Sequence, residues 1–353
     1  MKLLILRGEG NIAVIIYGLR MAIQLNKVMK SRMLKRVGYT LVIFSGLIFL
    51  LMLIPRTYGI LYPERPPLGY HYLWSSHLAI GVGLEDLINT TPEVPAGIEA
   101  IKNVEYKNIN GESLQLDLYK PKNIGQPAPL LVFVHGGSWV KGKRADMLAL
   151  VIDFAERGYI TATVSYRLGR YPHAVQDVSD AVNWFYNHGS DYGYDPDRIA
   201  LVGASAGAHL AMLAAYGWED KTKSDSTNKG NRIKAVVNIF GPVDLTTDFA
   251  RNRPMTRAFL GKSYEEAPEL YQEASPIKYV HANVPPTMII HGTSDELVPN
   301  SQADLLKAKL DSVGVPCVDH RFPLWPHAMI LVQRAYDYCA PKMIDFFEEH
   351  LNN

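Results

Sequence analysis

The sequence predicts an α/β fold, in which a mostly parallel eight-stranded sheet is covered by helices on both faces and follows one N-terminal transmembrane helix. From residue 101 onwards, short apolar runs alternate with segments of helical periodicity, as expected of strands joined by covering helices. Runs such as LLVFV at 130–134 are continuously apolar, which is typical of strands buried on both faces. The charge-free run at 37–54 predicts the transmembrane helix.

The predicted elements follow one another in a regular order. The strands are expected at 102–107, 113–119, 129–134, 160–165, 198–203, 234–239, 286–291 and 317–322, and the helices at 144–157, 174–189, 205–217, 300–313 and 334–350. A tight turn at Asn110–Gly111 joins the first two strands as a hairpin. Because the later strands run parallel, functional groups are expected where the strands end, at their carboxyl edge.

Positive charge is concentrated at the N-terminus of this chain of 353 residues and net charge +1. Residues 1–36 contain eight Lys or Arg residues, and Glu9 is their one acidic residue. This imbalance is typical of a membrane-topology signal, and nothing in the overall charge indicates a nucleic-acid partner. We treat 1–36 as a separate basic segment, and Met29 and Met33 leave open the alternative that the translation start is over-extended.

Residues 37–54 form the predicted transmembrane anchor. As a helix they extend roughly 27 Å, close to the thickness of a hydrocarbon core. The positive-inside rule places the preceding basic segment in the cytoplasm and everything after Pro55 outside, in the periplasm or extracellular space. Two alternatives remain: a cleaved signal peptide, which would make the protein secreted, and a buried core helix.

Residues 55–100 contain six prolines around an apolar middle, so we expect a linker followed by a short amphipathic segment. Residues 101–353 form the predicted globular domain. Its cysteines, Cys317 and Cys339, are the two in the chain and are expected to be unpaired thiols, although a single disulfide remains an alternative.

The chemistry-bearing motif is GASAG at 203–207, which lies between an apolar strand and an apolar helix. A serine on so tight a strand-to-helix turn needs small neighbours, and the four residues around Ser205 are all Gly or Ala. The turn exposes the hydroxyl at a helix N-terminus, whose dipole favours a developing anion. We therefore predict that Ser205 is a nucleophile; an ordinary N-capping serine is the alternative.

A second motif, HGGSW at 135–139, directly follows an apolar strand. Acyl transfer requires backbone N–H groups aimed at the developing oxyanion, and glycine lets the main chain approach that closely. We predict that the amides of Gly137 and Ser138, together with that of Ala206, form this oxyanion hole, with Gly136 as a lesser candidate. The alternative is a Gly-Gly turn that merely ends a strand.

The motif HGTSDELVP places Asp295 on the loop after another apolar strand, where an acid that orients a histidine is expected. Glu296 and Asp319 are the alternatives to Asp295. His327, in FPLWPHAM, is the first histidine after Asp295 that lies outside a strand, and it is the predicted general base. The order Ser205, Asp295, His327 is that expected for this strand–turn–helix architecture.

The other histidines in these motifs have structural interpretations. His209 lies one turn into the helix after Ser205, and His135 and His291 are expected to brace their loops by hydrogen bonds. The sequence holds no H-E-x-x-H, P-loop or G-x-G-x-x-G motif, so we expect neither a metal nor a cofactor.

Together the segments HGGSW, VSYRLG, GASAG, EASPIKYV and HGTSDELVP followed by WPH resemble the α/β-hydrolase carboxylesterases. The resemblance is greatest to the hormone-sensitive-lipase-related esterases and the bacterial feruloyl and acetyl-xylan esterase-like (BD-FAE-like) branch, and it covers about residues 100–350. It implies a Ser-His-Asp mechanism with an oxyanion hole and no cofactor. Ser138 stands where many lipase-like members have a third Gly, a difference that does not favour bulky alcohols.

The expected activity is hydrolysis of a carboxylic ester with a small or aromatic acyl group, carried by a small molecule or a glycan. Residues 242–285 are rich in Phe, Tyr, Met and Leu. By analogy with the fold, we expect them to form a small cap over the acyl pocket. An amide or formamide hydrolase with the same triad is one alternative. A non-enzymatic binding protein on the same fold is the other, which an intact triad argues against.

Overall fold

The sheet is observed in a computed structural model that describes residues 32–125, 127–217 and 232–352. Most of the predicted basic segment lies outside these residues. Eight described strands form one sheet: β1 (Ile98–Ile109), β2 (Glu112–Pro121), β3 (Ala128–Val134), β4 (Ile160–Val164), β5 (Tyr194–Ala204), β6 (Ile233–Ile239), β7 (Thr287–Gly292) and β8 (Cys317–Phe322). Their order is β1-β2-β4-β3-β5-β6-β7-β8. The β1–β2 and β2–β4 pairs are antiparallel and the others parallel, which confirms the predicted mostly parallel sheet.

The helices cover the sheet as predicted. In chain order they are α1 (Arg32–Leu61), α2 (Leu73–Gly81), α3 (Leu148–Glu156), α4 (His173–Asn187), α5 (Gly189–Tyr192), α6 (Ala206–Tyr216), α7 (Asp248–Arg251), α8 (Pro254–Leu260), α9 (Pro268–Glu273), α10 (Ser301–Ser312) and α11 (Gln333–Leu351). Short 3-10 turns at Arg144–Met147, Pro276–Tyr279 and Met329–Leu331 complete the described helical structure. The helices predicted at 144–157, 174–189, 205–217, 300–313 and 334–350 correspond to α3 with its preceding 3-10 turn, α4, α6, α10 and α11.

Two hydrophobic clusters, one on each face of the sheet, explain the continuous apolar runs. Along β3, Leu130, Val132 and Val134 belong to the cluster that contains α4, α6 and α10, whereas Leu131 and Phe133 belong to the cluster that contains α3 and α11. Successive side chains of a strand point to opposite faces, so both sets must be apolar. All five side chains are completely or almost completely buried.

Between β6 and β7, α7, α8, α9 and the 3-10 turn Pro276–Tyr279 fill the segment predicted as a small cap. This segment packs on the HGGSW loop: the ring of Phe259, in α8, stacks on Trp139 with centroids 4.5 Å apart. Tyr271, in α9, is fully buried. The cap segment is therefore part of the globular domain rather than a loose insertion.

Helix α1 extends the predicted span of 37–54 at both ends. The stretch Arg36–Leu61 is long and apolar enough to cross a membrane, and almost none of its most apolar part is buried against the described protein. Residues 62–90 return to the globular domain, where Leu87 forms a β-bridge with Val332. Cys317 and Cys339 are both free thiols in this structure.

Candidate active site

Ser205 occupies a strained turn between β5 and α6. Its backbone angles are φ 54° and ψ −122°, a combination that non-glycine residues rarely adopt. A Cβ on Gly203 would lie 2.4 Å from the Cα of Ala208, and a Cβ on Gly207 would lie 2.1 Å from the carbonyl oxygen of Val134. The turn is therefore closed by backbone contacts that leave no room for larger residues, as its sequence predicts.

Three loops from the carboxyl edge of the sheet bring the predicted residues together. His327 Nε2 lies 3.2 Å from Ser205 Oγ, and His327 Nδ1 lies 2.6 Å from Asp295 Oδ2. Since Asp295 Oδ2 accepts a hydrogen bond from Nδ1–H, Nε2 is left to accept the serine proton. These distances are those of a hydrogen-bonded Ser–His–Asp chain.

Asp295 is held as a buried carboxylate. Its Oδ1 accepts hydrogen bonds from the amides of Leu297 and Val298, each at 2.9 Å. Burial alone would raise the pKa of Asp295, but hydrogen bonds from His291, His327 and the backbone of Val298 outweigh it and lower that pKa to about 2. The acid is thus ionised at neutral pH, as an orienting group for histidine must be.

The loops that carry Asp295 and His327 are interlocked. The amide of Ser294 donates to the carbonyl of Trp325 at 3.0 Å, and the amide of Thr293 donates to that of Phe322 at 2.9 Å. A Cβ on Gly292 would lie only 2.3 Å from the Trp325 carbonyl oxygen. Acid and base therefore share one packed unit at the ends of β7 and β8.

The HGGSW loop lies directly against the serine. A Cβ on Gly136 would be 3.3 Å from the Cβ of Ser205. The backbone of this loop is unusual, with φ of 119° at Gly137 and 53° at Ser138. Among the described residues the amides of Gly136, Gly137 and Ser138 donate no hydrogen bond, and Ala206, the first residue of α6, has no partner for its N–H within the helix. Backbone amides beside a nucleophile that donate no other hydrogen bond can donate to a developing oxyanion.

Two histidines brace this loop. The Tyr166 hydroxyl donates to the His135 carbonyl at 2.8 Å, and the two rings stack with centroids 4.3 Å apart. Trp139 Nε1 donates to His209 Nδ1 at 3.2 Å, while His209 Nε2 donates to the carbonyl of Ala274 at 2.7 Å. His209 thus links the HGGSW loop to the cap segment, and burial lowers its pKa to about 4. The sequence did not indicate the parts played by Trp139 and Tyr166.

The remaining candidates lie in other environments. His291 Nε2 donates to the Val298 carbonyl at 2.8 Å, which agrees with its predicted bracing role. Glu296 is exposed, and Asp319 pairs with Arg321 at 2.5 Å, so neither alternative acid contacts His327. His320, in β8, contacts the Tyr338 hydroxyl at 3.3 Å. No group of His, Cys, Asp and Glu residues suited to a metal occurs in the part of the chain that the structure describes.

Comparisons with known proteins match this chain to one family and to proteins named as esterases. The profile of the BD-FAE family matches residues 116–310. The chain is similar to esterase LipQ of Mycobacterium tuberculosis, with 34% identity over 223 residues, 60% of this chain and 52% of the relative. It is also similar to the isoprenylcysteine alpha-carbonyl methylesterase ICME of Arabidopsis thaliana, with 33% identity over 215 residues, 57% of this chain and 50% of the relative. The chain therefore spans about half the length of these curated relatives.

Solved structures show the same likeness. A thermophilic esterase from Thermogutta terrifontis with propionate bound has 26% identity and a TM-score of 0.62, covering 73% of this chain and 96% of that one. The same esterase phosphorylated by paraoxon has 25% identity and a TM-score of 0.61, covering 73% and 95% of the two chains.

Proposed function

The chain belongs to the BD-FAE family of α/β-hydrolase esterases, and from that premise we propose that it is a serine carboxylic-ester hydrolase with Ser205 as nucleophile, His327 as general base and Asp295 as the acid that orients it. The observation that carries this proposal is the hydrogen-bonded chain of 2.6 Å and 3.2 Å through the two nitrogens of His327. The esterase names of the relatives support the choice of an ester as substrate.

The reaction proceeds in two steps. Ser205 Oγ attacks the ester carbonyl while His327 Nε2 takes its proton, and the buried carboxylate of Asp295 stabilises the resulting imidazolium. His327 gives this proton to the departing alcohol, which leaves an acyl group on Ser205. A water molecule then attacks the acyl carbonyl while His327 takes its proton, and His327 returns that proton to Ser205 Oγ as the acyl–oxygen bond breaks and the acid is released.

The amides of Gly137, Ser138 and Ala206 receive the developing oxyanion, with Gly136 as the lesser candidate. Their N–H groups donate no hydrogen bond within the described structure, which supports this role, since a preformed hole needs donors that are free to receive the charge. Removing one donor of such a hole costs about 100-fold to 1000-fold in kcat in a well-studied serine protease.

The proposed substrate has a small or aromatic acyl group, with the alcohol part a small molecule or a glycan. The short cap segment packs on the HGGSW loop through Phe259, whose ring stacks on Trp139, and this packing beside the serine supports a confined acyl site. Propionate bound to the structurally similar esterase supports a small acyl group.

Hydrolysis of p-nitrophenyl esters from acetate to octanoate tests the proposal. We expect activity in the wild-type chain that is highest for the short esters and absent in Ser205→Ala. Ser113→Ala, at an exposed serine of β2, is the matched control and should retain full activity. Equal rates for wild type and Ser205→Ala would favour a non-enzymatic binding protein.

We further propose that α1 anchors the protein in a membrane, with the N-terminus in the cytoplasm and the catalytic domain in the periplasm or extracellular space. The exposed apolar surface of α1 and the basic residues before it support this topology. N-terminal sequencing of the protein from alkaline-extracted membranes tests it. A mature chain that begins before residue 37 and stays in the membrane is expected, whereas a soluble chain that begins after residue 54 would make α1 a cleaved signal.

A further inference from the structure

Helix α2 packs against the C-terminal half of α1. The Tyr70 hydroxyl, just before α2, donates to the Met52 carbonyl of α1 at 3.0 Å. A small buried cluster joins the two helices and consists of Met52, Tyr70, Ala79 and Leu84, with Phe49 and Leu53 packed against it. Because Met52 lies near the end of the charge-free run 37–54 and Arg56 follows it, α2 packs on α1 near the outer end of that run.

The chain around α2 is also fixed to the catalytic domain. Trp325 Nε1 donates to the Pro67 carbonyl at 2.7 Å, and Arg334, in the first turn of α11, donates to the Leu68 carbonyl at 2.9 Å. Arg334 also forms an ion pair with the buried carboxylate of Glu85. Helix α2 is therefore held from both sides, between α1 and the domain, and its orientation is set.

The exposed surface of α2 carries a run of aromatic and apolar side chains. Trp74, Leu78 and Val82 follow one another at intervals of four residues and so form one stripe along the helix and its C-cap. Trp74 is 64% exposed and Tyr72, whose ring stacks on it at 6.2 Å, is 50% exposed. Helix α2 contains no Lys, Arg, Asp or Glu, and its exposed His77 lies beside the stripe.

We propose that this α2 stripe, which consists of Tyr72, Trp74, Leu78 and Val82, docks on the phospholipid surface of the membrane that α1 spans. The proposal rests on the membrane anchoring of α1 proposed above. Trp and Tyr are enriched where headgroups meet acyl chains, because their rings are apolar at one end and polar at the other. A bilayer is the occupant because the apolar surface of α1, against which α2 packs, is covered by that same bilayer.

Docking of the α2 stripe places the catalytic loops beside the membrane surface. His71, the residue before Tyr72, contacts Ser294 Oγ through Nδ1 at 3.0 Å. Ser294 precedes Asp295 in the chain and contacts the Trp325 carbonyl through its amide. The acid and base loops are thus one contact away from the stripe, and an ester presented at the headgroup level meets them without leaving the membrane surface.

Quenching of tryptophan fluorescence by brominated lipids tests the docking. The full chain is reconstituted into phosphatidylcholine nanodiscs whose acyl chains carry bromine near the headgroup. We expect strong quenching in the wild type and loss of most of it in Trp74→Phe. Trp184→Phe, at a ring packed on His188 within the domain, is the matched control and should leave the quenching unchanged.

Charge substitutions provide a second measurement with the same readout. Leu78→Glu should reduce the quenching of Trp74, whereas Leu305→Glu, at a site of nearly equal exposure on α10, should not. Unchanged hydrolysis of p-nitrophenyl acetate shows that these variants keep their fold and site.

If Trp74→Phe shows the same quenching of tryptophan fluorescence as the wild type, the docking proposal is overturned. The esterase and anchor proposals are then unaffected. Failure of the wild-type chain to enter nanodiscs would overturn the anchor and the docking together. Absence of ester hydrolysis in the wild-type chain would overturn the esterase proposal alone, so the three proposals fail separately.

Discussion

The turn that presents Ser205 and the loop that presents His327 are held in place in different ways. The serine turn is fixed by backbone against backbone inside the core, where Gly203 and Gly207 approach neighbouring main chain more closely than any Cβ permits. The His327 loop contacts the Asp295 loop and is also supported from outside the sheet by the segment that leads from α1 into the domain. Gly69 of that segment packs on the ring of Trp325, and its amide donates to the Pro323 carbonyl at 2.8 Å.

This difference separates two kinds of positioning. The serine turn is closed by its own backbone and by the end of the neighbouring core strand β3, so its geometry comes with the fold of the sheet. The His327 loop depends on residues more than 200 positions away, which belong to the juxtamembrane segment. Damage to the first should therefore destroy the fold, whereas damage to the second should move the base and spare the sheet.

Asp295→Asn tests the hydrogen-bonded chain that links the His327 loop to the serine turn, and it has the largest expected effect on activity. The amide keeps the Oδ1 acceptor for Leu297 and Val298 but loses the negative charge that orients His327. We expect kcat to fall by about 10⁴-fold, as for the equivalent change in a serine protease. The measurement is kcat for p-nitrophenyl acetate together with thermal unfolding. Glu296→Gln, at the exposed neighbour, should retain wild-type kcat, and a comparable loss there would contradict the assignment.

Gly207→Ala tests the rigidity of the serine turn. The new Cβ would lie 2.1 Å from the Val134 carbonyl oxygen and 2.4 Å from that of His135, and both are core backbone. We expect a loss above about 4 kcal/mol in the free energy of unfolding or failure to fold, as for the most disruptive core changes. Denaturant unfolding measures this. Gly97→Ala, where a Cβ meets no atom within 4 Å, is the control. Near-normal stability of Gly207→Ala would show that the turn is looser than the contacts imply.

The buried histidine beside the turn predicts a pH dependence of stability. Burial lowers the pKa of His209 to about 4, so the folded protein keeps it neutral where the unfolded chain takes up a proton. Stability is therefore complete above about pH 6.5 and falls as the pH drops towards 4, by about 3 kcal/mol from this residue. Urea unfolding at a series of pH values in wild type and His209→Gln measures the contribution. A slope between pH 6.5 and 4 that is the same in both proteins would assign the effect to other groups.

Gly69→Ala tests the outer support of the His327 loop and has the smallest expected effect. Its Cβ would lie 2.6 Å from the Trp325 ring and 2.7 Å from the Leu324 carbonyl oxygen, which is loop backbone rather than core strand. We expect a cost of about 1–3 kcal/mol in stability, with a fall in kcat that exceeds any change in KM.

Gly81→Ala, in open space on α2, is the control for this substitution. A kcat for Gly69→Ala equal to that of the control would mean that the segment does not position His327.

The sequence predicted the sheet and the serine turn well, but it did not predict the juxtamembrane support of the His327 loop. All eight strands and the five covering helices were predictable because their apolar periodicity is local. The grouping of Ser205, Asp295 and His327 was predictable because each follows a strand whose carboxyl end meets the same edge. The contacts of Pro67, Gly69 and Arg334 with the His327 loop were not, because they join distant segments through single backbone groups and leave no local pattern.

Covalent labelling tests the central claim, that Ser205 is a nucleophile activated by His327, most directly. The full chain is treated with paraoxon, the reagent that phosphorylates the structurally similar esterase, and the modified peptide is identified by mass spectrometry. We predict a diethylphosphoryl group on Ser205 in the wild type and none on that residue in His327→Ala after the same time. A label on another residue, or labelling of Ser205 at an equal rate without His327, would contradict the claim.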